Sequence, residues 1–331
     1  MATIITNKYG VSEAIVNACK IDNHITMGDI SVTQLLDAPQ VRILKRTCEM
    51  EEDVTDRIWA LMGTAVHYML QLGEVGAREA KILLEAAEIL MKEDEEKASK
   101  WITKFVKEKY PQAINKDVLT EVTLSHTMHD MTFSGTFDRY TISKCHLEDY
   151  KNTSVYPYMN PEAQKKWVGQ LNVYAFLLRE NGYEVKKADI TAIFRDFSAA
   201  KSFQKGYPKK PIETFNIPLY SQDFMRDYIG KRILLHKEAE SGNIPPCTAK
   251  DMWSVKDSYA VTSPGRKRAI KLFPTRPLAE AFLLGEGAQY PKAEVEVRIG
   301  EARRCASYCP VSHVCTQNKE RLQRIAEEAE K

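Results

Sequence analysis

Thr, Phe and Tyr crowd the stretch from Met131 to Ile142, and apolar and polar positions alternate loosely around Leu147 between Cys145 and Tyr150. With Ser143-Lys144 as a short turn between them, this pattern predicts a β-hairpin. Elsewhere the period is helical. Ile58 to Leu70 is a largely apolar run of helix-forming residues. Pro161 to Glu180 sets Trp167, Leu171, Ala175 and Leu178 where they can cover a sheet, opens on a proline and stops at Asn181-Gly182. Strands between helical segments predict an α/β chain.

The hairpin carries candidate chemistry. Asp138 on the outgoing strand and Asp149 on the returning one lie near each other across the ladder, within reach of one ion. Lys151, two residues after Asp149, points to the same sheet face. Two carboxylates with open positions for water and phosphate suit Mg²⁺ or Mn²⁺, which keep several waters. Either fragment alone is common on solvated strands. The order along the chain is more specific: Gly63-Thr64-Ala65-Val66-His67, Gly135-x-x-Asp138, Asp149-x-Lys151, then Gln170-x-x-x-Tyr174. His67 falls in an apolar run where an imidazole needs a partner. Gly63 is expected near the start of that helix, allowing its backbone close to the sheet. Gln170 and Tyr174, four residues apart, share one helix face. Glu121, on the strand before the hairpin, is a further acidic candidate.

These four motifs resemble the RecB-like branch of the PD-(D/E)XK nuclease superfamily over roughly residues 31–197, and the tail is similar to phage exonucleases and iron-sulfur nucleases of that branch. The resemblance implies a restriction-endonuclease-like core, a central mixed sheet flanked by helices, with helical and cysteine-bearing additions. It implies that Asp138, Asp149 and His67 bind metal, with the Tyr150 carbonyl as a further ligand. Lys151 then attends the attacking water, and Gln170 and Tyr174 position lysine and nucleic acid. The implied activity is Mg²⁺- or Mn²⁺-dependent cleavage of DNA, exonucleolytic rather than endonucleolytic, in viral or phage DNA processing, recombination or repair. A non-cleaving DNA-binding scaffold is the alternative.

The chain has 331 residues, 44% of them hydrophobic, which is ample for a core. No run of about 18 apolar residues exists, and the amino terminus lacks a basic stretch leading into an apolar one, so no membrane association and an intracellular, cytoplasmic location are expected. The net charge of +2 announces no polyanion, but Lys165-Lys166, Lys186-Lys187 and Arg266-Lys267-Arg268 are candidate phosphate contacts. The mixed charges of Lys92 to Lys109 read as a solvated helix face. Ser198 to Pro211 interleaves Lys201, Lys205 and Lys209-Lys210 with Phe203 and Tyr207, which fits either a strand-gripping loop or a flexible polar hairpin tip. No Gly-x4-Gly-Lys-Ser/Thr loop is present, so a helicase is expected as a partner if one is needed, as is a single-strand-binding or annealing protein.

Seven cysteines without a secretory signal argue against disulfides. Cys305-x3-Cys309-x5-Cys315 looks like thiolates converging on a metal or cluster. Cys247, in a proline-marked turn, is the preferred fourth ligand; Cys48 is its rival, His313 is a substitute, and Trp253 is a candidate shield. A [4Fe-4S] cluster is favoured over a structural Zn²⁺, although the spacing and the Ala38-Pro39 position depart from the iron-sulfur pattern. Cys19 and Cys145 read as small core residues. The regions expected are 1–110, helical and carrying His67; 111–240, the nuclease core; and 241–331, with the cysteines.

Overall fold

Phe133, Phe137, Tyr140, Leu147 and Ile190 are each almost wholly removed from water, and burying each contributes about 1.5–3 kcal/mol. Those residues belong to the central sheet. The computed structural model describes residues 3–21, 26–75 and 117–329. The segment from Lys92 to Lys109 lies outside the described residues. The chain divides into two units interleaved in sequence. One comprises Ile5–Leu36 and Glu52–Leu234, the other Met1–Ile4, Asp37–Glu51 and Leu235–Lys331. The His67 segment thus shares a unit with the predicted hairpin.

The first unit holds a six-stranded mixed sheet. Its strands are β1 (Ile30–Ser31), β2 (Val118–Met128), β3 (Met131–Thr141), β4 (His146–Thr153), β5 (Lys187–Phe194) and β6 (Ile212–Asn216). β2 runs antiparallel to β3 along one edge of that strand. The other edge of β3 takes β1 in parallel at Phe133 and Ser134, and β4 antiparallel at Arg139 to Thr141. Between these contacts, at Gly135 to Asp138, no strand pairs with that edge among the described residues. β4 and β5 pair in parallel, and β6 closes the far side antiparallel. The predicted hairpin is therefore β3–β4, splayed where Asp138 and Asp149 face each other.

The Lys165–Glu180 helix lies on this sheet with every residue from Leu171 to Leu178 buried. It stops where expected, Gly182 taking a φ of +85°. Cys19 is buried as read from the sequence, whereas Cys145 is half-buried in the β3–β4 turn at a φ of +48°, not in the core. Its Sγ–H points at the Ile142 carbonyl from 3.6 Å.

The second unit contains an antiparallel three-stranded sheet of β7 (Ser258–Thr262), β8 (Lys271–Phe273) and β9 (Glu294–Arg298), with β7 in the middle. The Arg276–Leu284 helix packs Phe282 on Phe273, ring centroids 5.2 Å apart. A separate small core joins Ala38, Val41, Met50 and Val311 to Cys247 and Cys309. No helix among the described residues is long and apolar enough to cross a membrane.

Candidate active site

Asp53 starts the Val54–Val75 helix as its cap: its Oδ1 accepts from the Thr55 amide at 3.0 Å and the Thr55 hydroxyl at 2.7 Å. The helix carries Gly63 in its middle, not near its start. A Cβ added there would meet no described atom within 4 Å. The expected close approach to the sheet is therefore absent at Gly63 and is found instead at Gly135. A Cβ at Gly135 would lie 2.6 Å from both Tyr174 Cε1 and Val32 Cγ2. Gly135 lets the Tyr174 ring lie on β3.

His67 is the junction of the site. Its Nε2 lies 3.1 Å from the Tyr150 carbonyl, which can only accept, so Nε2 carries a proton. Its Nδ1 lies 3.4 Å from Asp138 Oδ1 and 3.7 Å from Glu121 Oε1. The Asp138 carboxylate, then that of Glu121, raises the imidazole pKa to about 10, so without a cation His67 is itself the counter-charge. Donor atoms of His67, Glu121 and Asp138 all fall within 4.8 Å of one another, a donor set of hard oxygens plus imidazole that fits a divalent cation. The Tyr150 carbonyl has one lone pair engaged by His67 and a second remaining.

The two carboxylates occupy positions that the β2–β3 ladder skips. Thr120 pairs with Arg139 and Val122 with Phe137, but no pairing joins Glu121 to Asp138. Glu121 has a φ of +52°, a conformation costing on the order of 1–3 kcal/mol in a non-glycine residue. That backbone excursion turns its side chain to His67. Asp138 Oδ2 accepts from the Tyr150 amide at 2.6 Å, bridging the gap where β4 diverges from β3. Glu121, named from the sequence only as a further acidic member, is thus central.

Asp149 lies deeper and is 1% exposed. Burial raises its pKa, with the nearby Lys151 opposing and the Asp138 charge reinforcing the rise. Lys151 Nζ stands 2.8 Å from Asp149 Oδ2, an ion pair without good hydrogen-bond alignment, and donates to Gln170 Oε1 at 3.1 Å. Gln170 Nε2 in turn donates to the Tyr174 hydroxyl at 2.9 Å. The Tyr174 ring is buried, and that burial raises its pKa, so the hydroxyl stays protonated. A single chain of contacts therefore runs from the helix surface to the lysine.

A model of the PD-(D/E)XK nuclease superfamily matches residues 41–316. The chain belongs to this superfamily. Among solved structures it is similar to SSO0001, at 13% identity and a TM-score of 0.40, covering 72% of this chain and 89% of that one. It is also similar to a phage related exonuclease from Haemophilus somnus 129PT, at 18% identity and a TM-score of 0.24, covering 40% and 67% respectively. No curated protein matches it.

Outside the acidic cluster, the nuclease departs from several expectations. In the loop from Ser198 to Pro211, Phe203 is 88% exposed, but Tyr207 is buried against Phe197, its hydroxyl accepting from the Ser198 amide. Tyr207 braces the loop and has no face open for a base. Lys165, Lys186 and Lys187 pair with Glu162, Glu184 and Asp189, which reduces their weight as phosphate contacts. Lys209 caps the Ser202 carbonyl, and Arg266 lies over the Tyr290 ring.

In the other unit of the nuclease, Cys247, Cys305, Cys309 and Cys315 line one cavity with Gln40 and Gln317. All are free thiols. Neither Cys48 nor His313 lines it, and His313 is exposed. Trp253 packs at a tilt against Tyr308, ring centroids 5.3 Å apart, and is 39% exposed; Met252, not Trp253, lines the cavity. Burial pushes the Cys247 thiol up to about 12, with the Asp251 and Cys315 charges adding to it. Thiols that oppose one another's ionisation in this way fit a bound cation, which relieves the repulsion. Gln317 fastens Cys247 from a distant part of the chain: its Oε1 accepts from the Cys247 amide and its Nε2 donates to the Cys247 carbonyl, each at 2.9 Å.

Proposed function

We propose that this nuclease is a Mg²⁺- or Mn²⁺-dependent deoxyribonuclease that degrades DNA from ends, with Asp138, Asp149, His67 and Glu121 holding the metal and Lys151 attending the nucleophile. The observation that carries the reading is the position of Lys151 Nζ, held between Asp149 and Gln170 beside the cluster of His67, Glu121 and Asp138. One or two bound ions supply Lewis-acid polarisation of the scissile phosphate and a bound water of lowered pKa. The chain supplies the rest. Lys151 orients the attacking water and stays close to the charge that develops on phosphorus. Gln170 and Tyr174 hold the ammonium in place, which matters because a misplacement of about 1 Å costs roughly a hundredfold in rate.

Four thiols around one cavity support a bound metal centre in the second unit. By resemblance it is a [4Fe-4S] cluster. Absorbance near the visible thiolate-to-iron band, with iron and zinc analysis of protein purified without oxygen, separates it from Zn²⁺. A role in phage-type DNA processing, recombination or repair fits this activity. Where strand separation is needed, any helicase would be a partner, since this sequence has no Gly-x4-Gly-Lys-Ser/Thr loop. The test is Asp138→Ala: lost cleavage with retained DNA binding supports the enzyme, and unchanged cleavage refutes the assignment. A linear duplex with blocked ends that is still cut refutes the exonuclease reading.

A further inference from the structure

Eight residues before His67 on the same helix, Trp59 is 53% exposed, and the Arg195 guanidinium lies 4.3 Å from its ring centroid. Arg195 follows β5 directly, and its amide donates to the Thr153 carbonyl at the end of β4. Among the described residues Arg195 makes no ion pair. Trp59, Gly63 and His67 are spaced i, i+4, i+8, forming one ridge that advances about 12 Å. The sheet gives a similar figure. His67 contacts Tyr150, Arg195 contacts Thr153, and three residues of β4 span about 10 Å. Helix and strand thus flank one track, with the acidic cluster at one end and an aromatic–cation platform at the other. Midway along the ridge, Gly63 offers backbone with no described atom near its Cα substituent position.

From this track we infer a nucleotide-binding subsite, in which a single-stranded stretch of the substrate passes over Gly63 and stacks an unpaired base on the Trp59–Arg195 platform, about 10–12 Å along the strand from the acidic cluster that takes the scissile phosphate. The inference rests on the nuclease reading. An indole stacks on any base, and a guanidinium without an acidic partner adds phosphate attraction and stacking of its own. A strand crossing the helix gains room from a residue without a side chain at position 63, where nothing described lies within 4 Å of the Cβ position. Trp59 and Arg195 are binding residues, not catalytic ones.

The experiment uses the full chain and a fluorescein-labelled single-stranded oligonucleotide, with anisotropy in EDTA and initial rates in Mn²⁺. Trp59→Ala is expected to weaken binding and raise KM by about 5- to 150-fold while kcat falls far less, and Trp59→Phe to retain most of the affinity. Gly63→Leu, with a melting temperature no lower than the wild type, is expected to weaken binding as well. Oligonucleotides carrying 5-iodo-deoxyuridine near the cut site are expected to cross-link to Trp59. Wild-type protein that neither binds nor cuts overturns the nuclease reading and this subsite together. Wild-type protein that binds and cuts, with all three variants within about twofold of it and no cross-link at Trp59, overturns the subsite alone.

Discussion

Replacing Gly135 by Ala tests how the core and the lysine are coupled. The new methyl would sit 2.6 Å from a Tyr174 ring carbon and from a Val32 methyl. Both neighbours are buried, one a rigid ring and the other a β-branched side chain, so neither yields as a flexible tip does. Overpacking of this kind costs about 1–3 kcal/mol. At roughly 2–4 °C per kcal/mol for a unit of this size, the expected fall in melting midpoint is about 2–12 °C. The displaced Tyr174 hydroxyl also takes Gln170 with it, and Gln170 holds Lys151. Activity is therefore expected to fall well below what the unfolded fraction explains, at a temperature where the variant is folded. Calorimetry and initial cleavage rates on the same preparation check both. Gly63→Ala is the paired control for the calorimetry alone, expected to stabilise by about 0.5–1 kcal/mol because the glycine is mid-helix with no described atom in the way. Gly135→Ala that melts within about 0.5 kcal/mol of the wild type refutes the packing argument.

Three further outcomes follow from the geometry. In metal-free protein, His67 is stabilised as a cation: its folded pKa of about 10 exceeds the ordinary 6.5, so its stabilisation is present below pH 6.5 and lost as pH rises through about 10. Melting temperatures over that window should fall in the wild type and flatten in His67→Gln, and equal slopes refute the ion-pair account. Mn²⁺ binding near neutral pH should release a proton from His67, measured by titration calorimetry in buffers of different ionisation enthalpy, with none released if His67 is not a ligand. Gln317→Ala should accelerate loss of the metal centre to a chelator while leaving the other unit's melting unchanged, since it frees the Cys247 loop; an unchanged rate of loss refutes the latch.

The hairpin, the Gln170 helix and the order of motifs were legible because side-chain period and turn residues report directly on local structure, and the sheet uses them at Arg139↔Glu148. The role of Glu121 was less legible. Its carboxylate reaches His67 through a left-handed backbone at a position the ladder skips, which no alternation pattern encodes. The two motif glycines read alike in sequence, yet among the described residues only Gly135 meets a neighbour; contact across elements, invisible in a string, decides between them. The bracing of Tyr207 against Phe197 was not legible, because a loop sequence does not reveal its packing. Cys247, far from the three closely spaced cysteines, could be weighed only by its turn, whereas the fold puts it on their cavity.

The most direct test of the central claim is cleavage of end-labelled linear DNA beside a circular control, with Mg²⁺, with Mn²⁺ and with EDTA, for the wild type and Lys151→Ala. The account predicts loss of the linear DNA alone, only with metal, and none with Lys151→Ala. Cleavage that persists in EDTA or survives Lys151→Ala contradicts it.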